Sequence, residues 1–356
     1  MTSRALTGLR GVAALVIVLH HVMLRLPDVA AGPARQGYLA VDLFFVLSGF
    51  VMALGYGTWF GARQSLHEYG LFMGRRIARV WPLHAVVVVL LVSDGLVRHT
   101  GEYWPRMVIL NVLLMQSWRF SQTVDAPAWS VSTEMLAYIL FPLLSGLALR
   151  RPARVAWRTL AVAVAVLVVC VLVAPDLGSA QRGALDLHQN WSLLPALRCV
   201  AGFTIGLLTW RVLQTRRGAR VAAQPAVATG AGLAIVGLVL LGAPDGLIYL
   251  CFPVLIAGLY AGAGPLTRWL AKPAAVWMGT LSYAIYLVHF PLLDRANAWA
   301  PAGVAPFLAL FVALLCPVVL VAHYGVERPA QAGLRRMGRR LVGLGRALPA
   351  AWRLVI

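Results

Sequence analysis

His21 follows Arg10 by eleven residues in the apolar run RGVAALVIVLHHV (10–22), and three more ionisable side chains fall at a comparable depth in other apolar runs. They are Asp42 in GYLAVDLFFVLSGF, Glu134 in PAWSVSTEMLAYILFP and His289 in LSYAIYLVHFP. An imidazole oriented by a carboxylate removes a proton from a hydroxyl near neutral pH. The set therefore points to general-base chemistry, with His21 as the base and Glu134 or Asp42 fixing its tautomer. At the opposite level lie Arg10, Arg75, Arg76 and Arg79. Guanidinium groups hold phosphates bidentately and never lose their charge. Eleven helical residues rise about 16 Å, so one helix joins a cationic site to an imidazole site. A donor with phosphates at one end and a reactive acyl group at the other spans that gap, and the pantetheine arm of coenzyme A has that reach.

Such depths have meaning only if the chain crosses a bilayer. It is 60% hydrophobic and 12% charged, against about 25% charged in soluble domains. The expected fold is an all-α integral membrane protein with about ten transmembrane helices: 5–24, 39–57, 80–97, 131–149, 158–174, 193–213, 226–243, 246–264, 275–294 and 304–324. The apolar segment near 106–118 is too short for a crossing and is expected to be re-entrant or interfacial. One membrane domain, 1–324, precedes a basic tail, 325–356, expected to lie against anionic lipid.

The net charge of +19 does not imply nucleic acid, because the arginines occupy short loops rather than one stripe. With both termini cytoplasmic, 23 of the 31 basic residues fall on the cytoplasmic side, as the positive-inside rule requires. The expected location is the cytoplasmic (inner) membrane. The cysteines, Cys170, Cys199, Cys251 and Cys316, sit in apolar segments without metal spacing and are expected to be small packed hydrophobes. No metal is expected.

The stretches LTGLRGVAALVIVLHHV, YLAVDLFFVLSGFVM, RRIARVWPLH, PAWSVSTEMLAYILFP, RCVAGFTIGLL, MGTLSYAIYLVHFPLL and VERP together resemble the membrane acyltransferase-3 family over nearly the whole chain. The resemblance implies an O-acyltransferase that takes an acyl group, often acetyl, from cytoplasmic acyl-CoA. It delivers that group to a hydroxyl of an extracytoplasmic or lipid-linked glycan. The family's arginine–ten–histidine motif falls on Arg10 and His21, and its R-x-x-R motif on Arg76 and Arg79. Many relatives carry an additional C-terminal SGNH-type domain. This chain is too short for one, and a stand-alone form is expected.

Two more residues enter as substrate contacts. Arg198, in LPALRCVAGF, is costly in a span without a partner, and His289 could touch the acceptor. Ser48, in LSGF, could approach the thioester carbonyl. Two alternatives stay open: the same chemistry on a macrolide or other small molecule, and a proton-coupled transporter, since buried His/carboxylate sets also relay protons. A transporter would more often show repeated halves, and none is visible.

Overall fold

The computed structural model describes residues 2–26, 32–58, 66–99, 101–174, 183–188 and 192–341. Among these residues there are helices and turns and no strand. Eight helices are long and apolar enough to cross a bilayer. They are built on α1 (Thr2–Met23), α2 (Ala40–Tyr56), α3 (Leu66–Arg98), α5 (Ala128–Ser145), α6 (Ala153–Val173), α7 (Leu194–Leu213), α12 (Pro273–Trp299) and α13 (Val304–Leu320). Helices α8 (Arg216–Ala222) and α9 (Pro225–Leu240) form a pair bent by 66°, α10 (Asp245–Ala261) is a shorter apolar helix, and the short α11 (Pro265–Leu270) precedes α12. These ten apolar segments fall where ten spans were expected, but two of them are not simple long rods.

The segment near 106–118 does not cross. Its helix α4 (Pro105–Val112) has eight residues, a rise of about 12 Å, and the chain reverses at Leu114, where φ is 58°. Asn111 fastens this excursion: its amide donates to the carbonyls of Met107 and Gln122 at 2.9 and 2.8 Å and accepts from the Val124 N–H at 2.9 Å. Polar backbone at membrane depth must be paired internally, and one asparagine pairs three such groups here.

Helix α3 begins well before the expected residue 80. Its first turns carry Arg75, Arg76 and Arg79, whose charges hid the helical continuity. The expected boundary at 324 also falls inside a helix. Helix α13 continues through a π turn, Val321–Glu327, into α14 (Arg328–Leu341). Glu327 and Gln331 are buried, so the packed body extends past residue 324. The end of the tail beyond 341, Arg63 and much of the 175–192 segment lie outside the described residues.

Two glycine-mediated crossings set the interior. Small residues let membrane helices approach backbone to backbone. A Cβ on Gly279 of α12 would lie 1.9 Å from the Thr7 carbonyl oxygen, and one on Gly11 of α1 would lie 2.7 Å from the Gly279 nitrogen. Ten residues beyond each member of that pair stand His21 and His289. The two helices therefore run parallel in fixed register, from an arginine-bearing basic end to a histidine end. Helices α2 and α7 meet likewise at Gly49 and Gly206, where an added Cβ would reach within 1.9 and 2.0 Å of the Phe203 and Val46 carbonyl oxygens.

Candidate active site

At the histidine end a cavity of about 350 Å³ opens among α1, α2, α5, α7 and α12. His20 and His21 line it together with Tyr38, Trp129, Tyr286 and Phe290, and Arg25, Asp186, His188 and Arg198 add charge or polarity to its wall. His21 Nδ1 lies 3.0 Å from the Ile17 carbonyl oxygen and 3.1 Å from Nε2 of His289. The Phe290 ring packs edge-on against the His21 ring with centroids 5.3 Å apart. His289 is wholly buried and is not part of the cavity wall, so it does not present itself to an acceptor as expected. At the mouth, Arg25 pairs with Asp294 and lies over the Phe290 ring.

Neither expected carboxylate bonds to His21. Asp42 accepts from Nε and Nη2 of Arg198 at 2.7 and 2.5 Å, with both side chains at 1% exposure or less. The same guanidinium donates to the Leu187 carbonyl at 2.9 Å and lies over the Trp129 ring. A charge inside a membrane bundle requires a partner, and on α2 and α7 each of these residues supplies the other's. Arg198 borders the cavity, but each of its three nitrogens already donates to Asp42 or to the Leu187 carbonyl.

Glu134 points the other way. Its carboxylate accepts from the Tyr138 hydroxyl at 2.6 Å, and that hydroxyl lies 3.3 Å from Ser48 Oγ. Arg76 Nη2 donates to the Tyr56 hydroxyl at 2.9 Å, and its guanidinium lies 5.1 Å above the Tyr56 ring and 5.9 Å from that of Tyr138. Arg10 stands within electrostatic range of Arg79, Glu134, Glu327 and Tyr138. Arg79 Nη1 donates to Glu327 at 2.8 Å, and Glu327 is also bonded by His323 Nδ1 at 2.8 Å and Gln331 Nε2 at 3.1 Å. Glu134 and Ser48 thus belong with Arg10, Arg76 and Arg79.

The cavity at the histidine end does not extend to the arginine group. The cavity's floor is Ile17 and Val41, and its wall contains none of Arg10, Ser48, Arg76, Arg79 or Glu134. Between the levels, Phe44 packs edge-on against Tyr286 with ring centroids 6.3 Å apart.

Sequence reasoning missed Tyr56, Tyr138, His323 and Glu327, whose hydroxyls, imidazole and carboxylate organise the arginines. Glu327 stood in the quoted VERP stretch without a role. Asp245 was missed as well: one of its oxygens accepts from the Tyr38 hydroxyl at 2.6 Å and the Leu185 N–H at 2.8 Å. Its signal was an acid in the first turn of an apolar helix. Of the cysteines, Cys170 and Cys199 are buried as expected, whereas Cys316 is exposed on α13.

A family model described as the acyltransferase domain matches residues 3–323. The chain is 31% identical to the acyltransferase MdmB of Streptomyces mycarofaciens, over 94% of this chain and 92% of that protein. It is 28% identical to the putative membrane-bound transacylase BcsY of Komagataeibacter xylinus, over 91% and 82%. It is 23% identical to the putative peptidoglycan O-acetyltransferase YrhL of Bacillus subtilis, over 94% of this chain but 56% of that protein. No solved structure matches the chain. Acyl transfer, rather than transport, is the activity these relatives share by name, and the chain belongs to the acyltransferase-3 family.

Proposed function

We propose that this membrane protein transfers an acyl group, acetyl, from cytoplasmic acyl-CoA to a hydroxyl on the far side of the membrane. The observation that carries the reading is the layout of α1, with Arg10 among arginines at one end and His21 on a polar, aromatic-walled cavity at the other. In this reading Arg10, Arg76 and Arg79 hold the phosphates of the donor at the cytoplasmic face of the inner membrane, with both termini on that side. Three cations also exceed the local anions Glu134 and Glu327, leaving net positive charge for a phosphate group. Ser48 and Tyr138 lie along the route of the acyl-bearing arm, which passes the Phe44–Tyr286 layer to reach the cavity.

The acceptor hydroxyl attacks the thioester carbonyl while its proton passes to His21 as general base. The carbon–sulfur bond breaks, and the proton then neutralises the departing thiolate. General-base assistance of this kind is worth about 10²- to 10⁴-fold. A cavity of about 350 Å³ lies near the lower end of small-ligand sites and suits one ring at a time. Aromatic faces beside Arg25, Asp186 and His188 suit a sugar residue at the end of an extracytoplasmic or lipid-linked glycan. The apolar share of the wall, Ile17, Leu24, Val41 and Phe290, supports a second reading in which the acceptor is a sugar or hydroxyl borne on a macrolide or other hydrophobic small molecule.

The test uses the full chain in lipid nanodiscs with acetyl-CoA and candidate acceptors, following free thiol and acylated product. Acceptor-dependent thiol release is expected. His21→Ala should bind acetyl-CoA as the wild type does and lose transfer by at least about 10²-fold. Wild-type turnover in that variant would remove His21 as the base.

A further inference from the structure

We propose that His289 is a positioning residue that sets the tautomer of His21 and thereby makes Nε2 its basic nitrogen. The inference rests on the reading of His21 as the base.

His289 Nδ1 faces the carbonyl oxygens of Tyr286 at 2.7 Å and Ile285 at 3.2 Å. Carbonyls only accept, so this nitrogen carries hydrogen. In the neutral ring Nε2 is then a lone-pair acceptor, and it lies 3.1 Å from Nδ1 of His21. His21 Nδ1 also faces the Ile17 carbonyl oxygen at 3.0 Å. Two acceptors converge on one nitrogen, so His21 holds its hydrogen on Nδ1 and its lone pair on Nε2. The reverse arrangement fails on the same contacts. A cationic His289 would donate from Nε2, turn His21 Nδ1 into an acceptor, and set that lone pair against the Ile17 carbonyl.

The chain of contacts thus runs from backbone carbonyl to buried imidazole to cavity imidazole. When the acceptor hydroxyl gives its proton to His21 Nε2, the resulting imidazolium keeps its Nδ1–H on the His289 lone pair and the Ile17 carbonyl. Both contacts strengthen as the ring becomes charged. The proton leaves again for the coenzyme thiolate, and His289 ends the cycle unchanged. It performs the orienting task that was expected of Asp42 or Glu134. The Gly11–Gly279 crossing, ten residues below, brings the two rings within reach, and a branched residue at either position would separate them.

Histidines that lose an orienting partner in metal sites forfeit about 10- to 100-fold in function, and a loss in that range is expected here because Ile17 still holds Nδ1. The test compares His289→Leu, which fills the space without an acceptor, with His289→Gln, whose amide oxygen can occupy the Nε2 position. Both are assayed in nanodiscs beside His21→Ala. His289→Leu should lower kcat about 10- to 100-fold with KM for acetyl-CoA and for the acceptor unchanged, and His289→Gln should recover most of that loss. Equal kcat in the Leu and Gln variants, or a fall in folded protein together with a rise in both KM values, would assign His289 to packing and overturn the proposal. Wild-type kcat in His289→Leu with an inactive His21→Ala would overturn the positioning role and leave the base intact. Full turnover in His21→Ala would overturn both.

Discussion

Two buried polar pairs border the same cavity and are built on opposite principles. Asp42 and Arg198 are both ionised partners in a bidentate pair, with the remaining guanidinium nitrogen on a backbone carbonyl. Each carboxylate oxygen has its donor, and nothing is left to react. His21 and His289 meet as two imidazoles, with Nε2 of His289 3.1 Å from Nδ1 of His21 and the Nδ1 of each ring on a backbone carbonyl. A satisfied ion pair braces the helices that frame a site, whereas an asymmetric imidazole pair would, on the proposed reading, deliver a reactive nitrogen. Ionisable groups in a bundle are informative through the partner each one has, more than through their presence.

Removing one member of the ion pair should have the largest structural effect. Arg198→Ala strands a carboxylate between α2 and α7 and should cost about 3–5 kcal/mol, as truncation of buried pairs does. The measure is the thermal midpoint in nanodiscs, and Asp42→Leu combined with Arg198→Met should recover most of it. If Arg198→Ala keeps its stability and loses only acceptor affinity, the brace becomes a binding group and the contrast collapses.

The imidazole pair should be breakable without touching the brace. Gly279→Val drives a side chain into the Thr7 carbonyl, since even a Cβ there would lie at 1.9 Å. Overpacking of this kind costs about 1–3 kcal/mol. It should lower kcat by at least about tenfold while the Asp42–Arg198 centre holds the fold, a separation visible by comparing thermal midpoint with turnover. Phe44→Trp, in the layer between the two levels, should reduce turnover with long acyl donors more than with acetyl-CoA. A uniform effect on all donors would place the acyl route elsewhere.

The smallest effect tests a carboxyl with neither kind of partner. Asp125, in the loop before α5, is buried with both oxygens unbonded. Burial, with the Asp294 charge adding to it, pushes its carboxyl well above the usual carboxylate range. An acid raised in the folded state contributes stability below its unfolded pKa of about 3.9 and loses it as pH rises through the folded value. Asp125→Asn should flatten that decline and melt slightly above the wild type at alkaline pH. A steeper decline in the variant would mean that Asp125 is ionised and paired.

The sequence made the membrane class, the ten apolar segments and the non-crossing piece near 106–118 legible, because each depends on local length and hydropathy. It also separated His21 from Arg10 correctly along α1. It assigned the wrong neighbours to Asp42, Glu134 and His289. Depth along a span is readable from residue number, but two groups at one depth can point to different sides of the bundle. Asp42 turned to α7, and Glu134 turned toward the arginines through Tyr138. Glu327 escaped notice because its partner Arg79 is 248 positions away.

The axial dimension follows from residue order: the helical rise of about 1.5 Å per residue set the separation of cation and imidazole on α1 before any helix had a neighbour. The lateral arrangement arises only when the helices pack. Backbone contact at Gly11 and Gly279 chose α12 as the helix beside α1, and with it a second histidine, rather than Asp42 or Glu134, beside His21. Lateral choice depends on which surfaces pack most closely, and no repeat along a single chain encodes that.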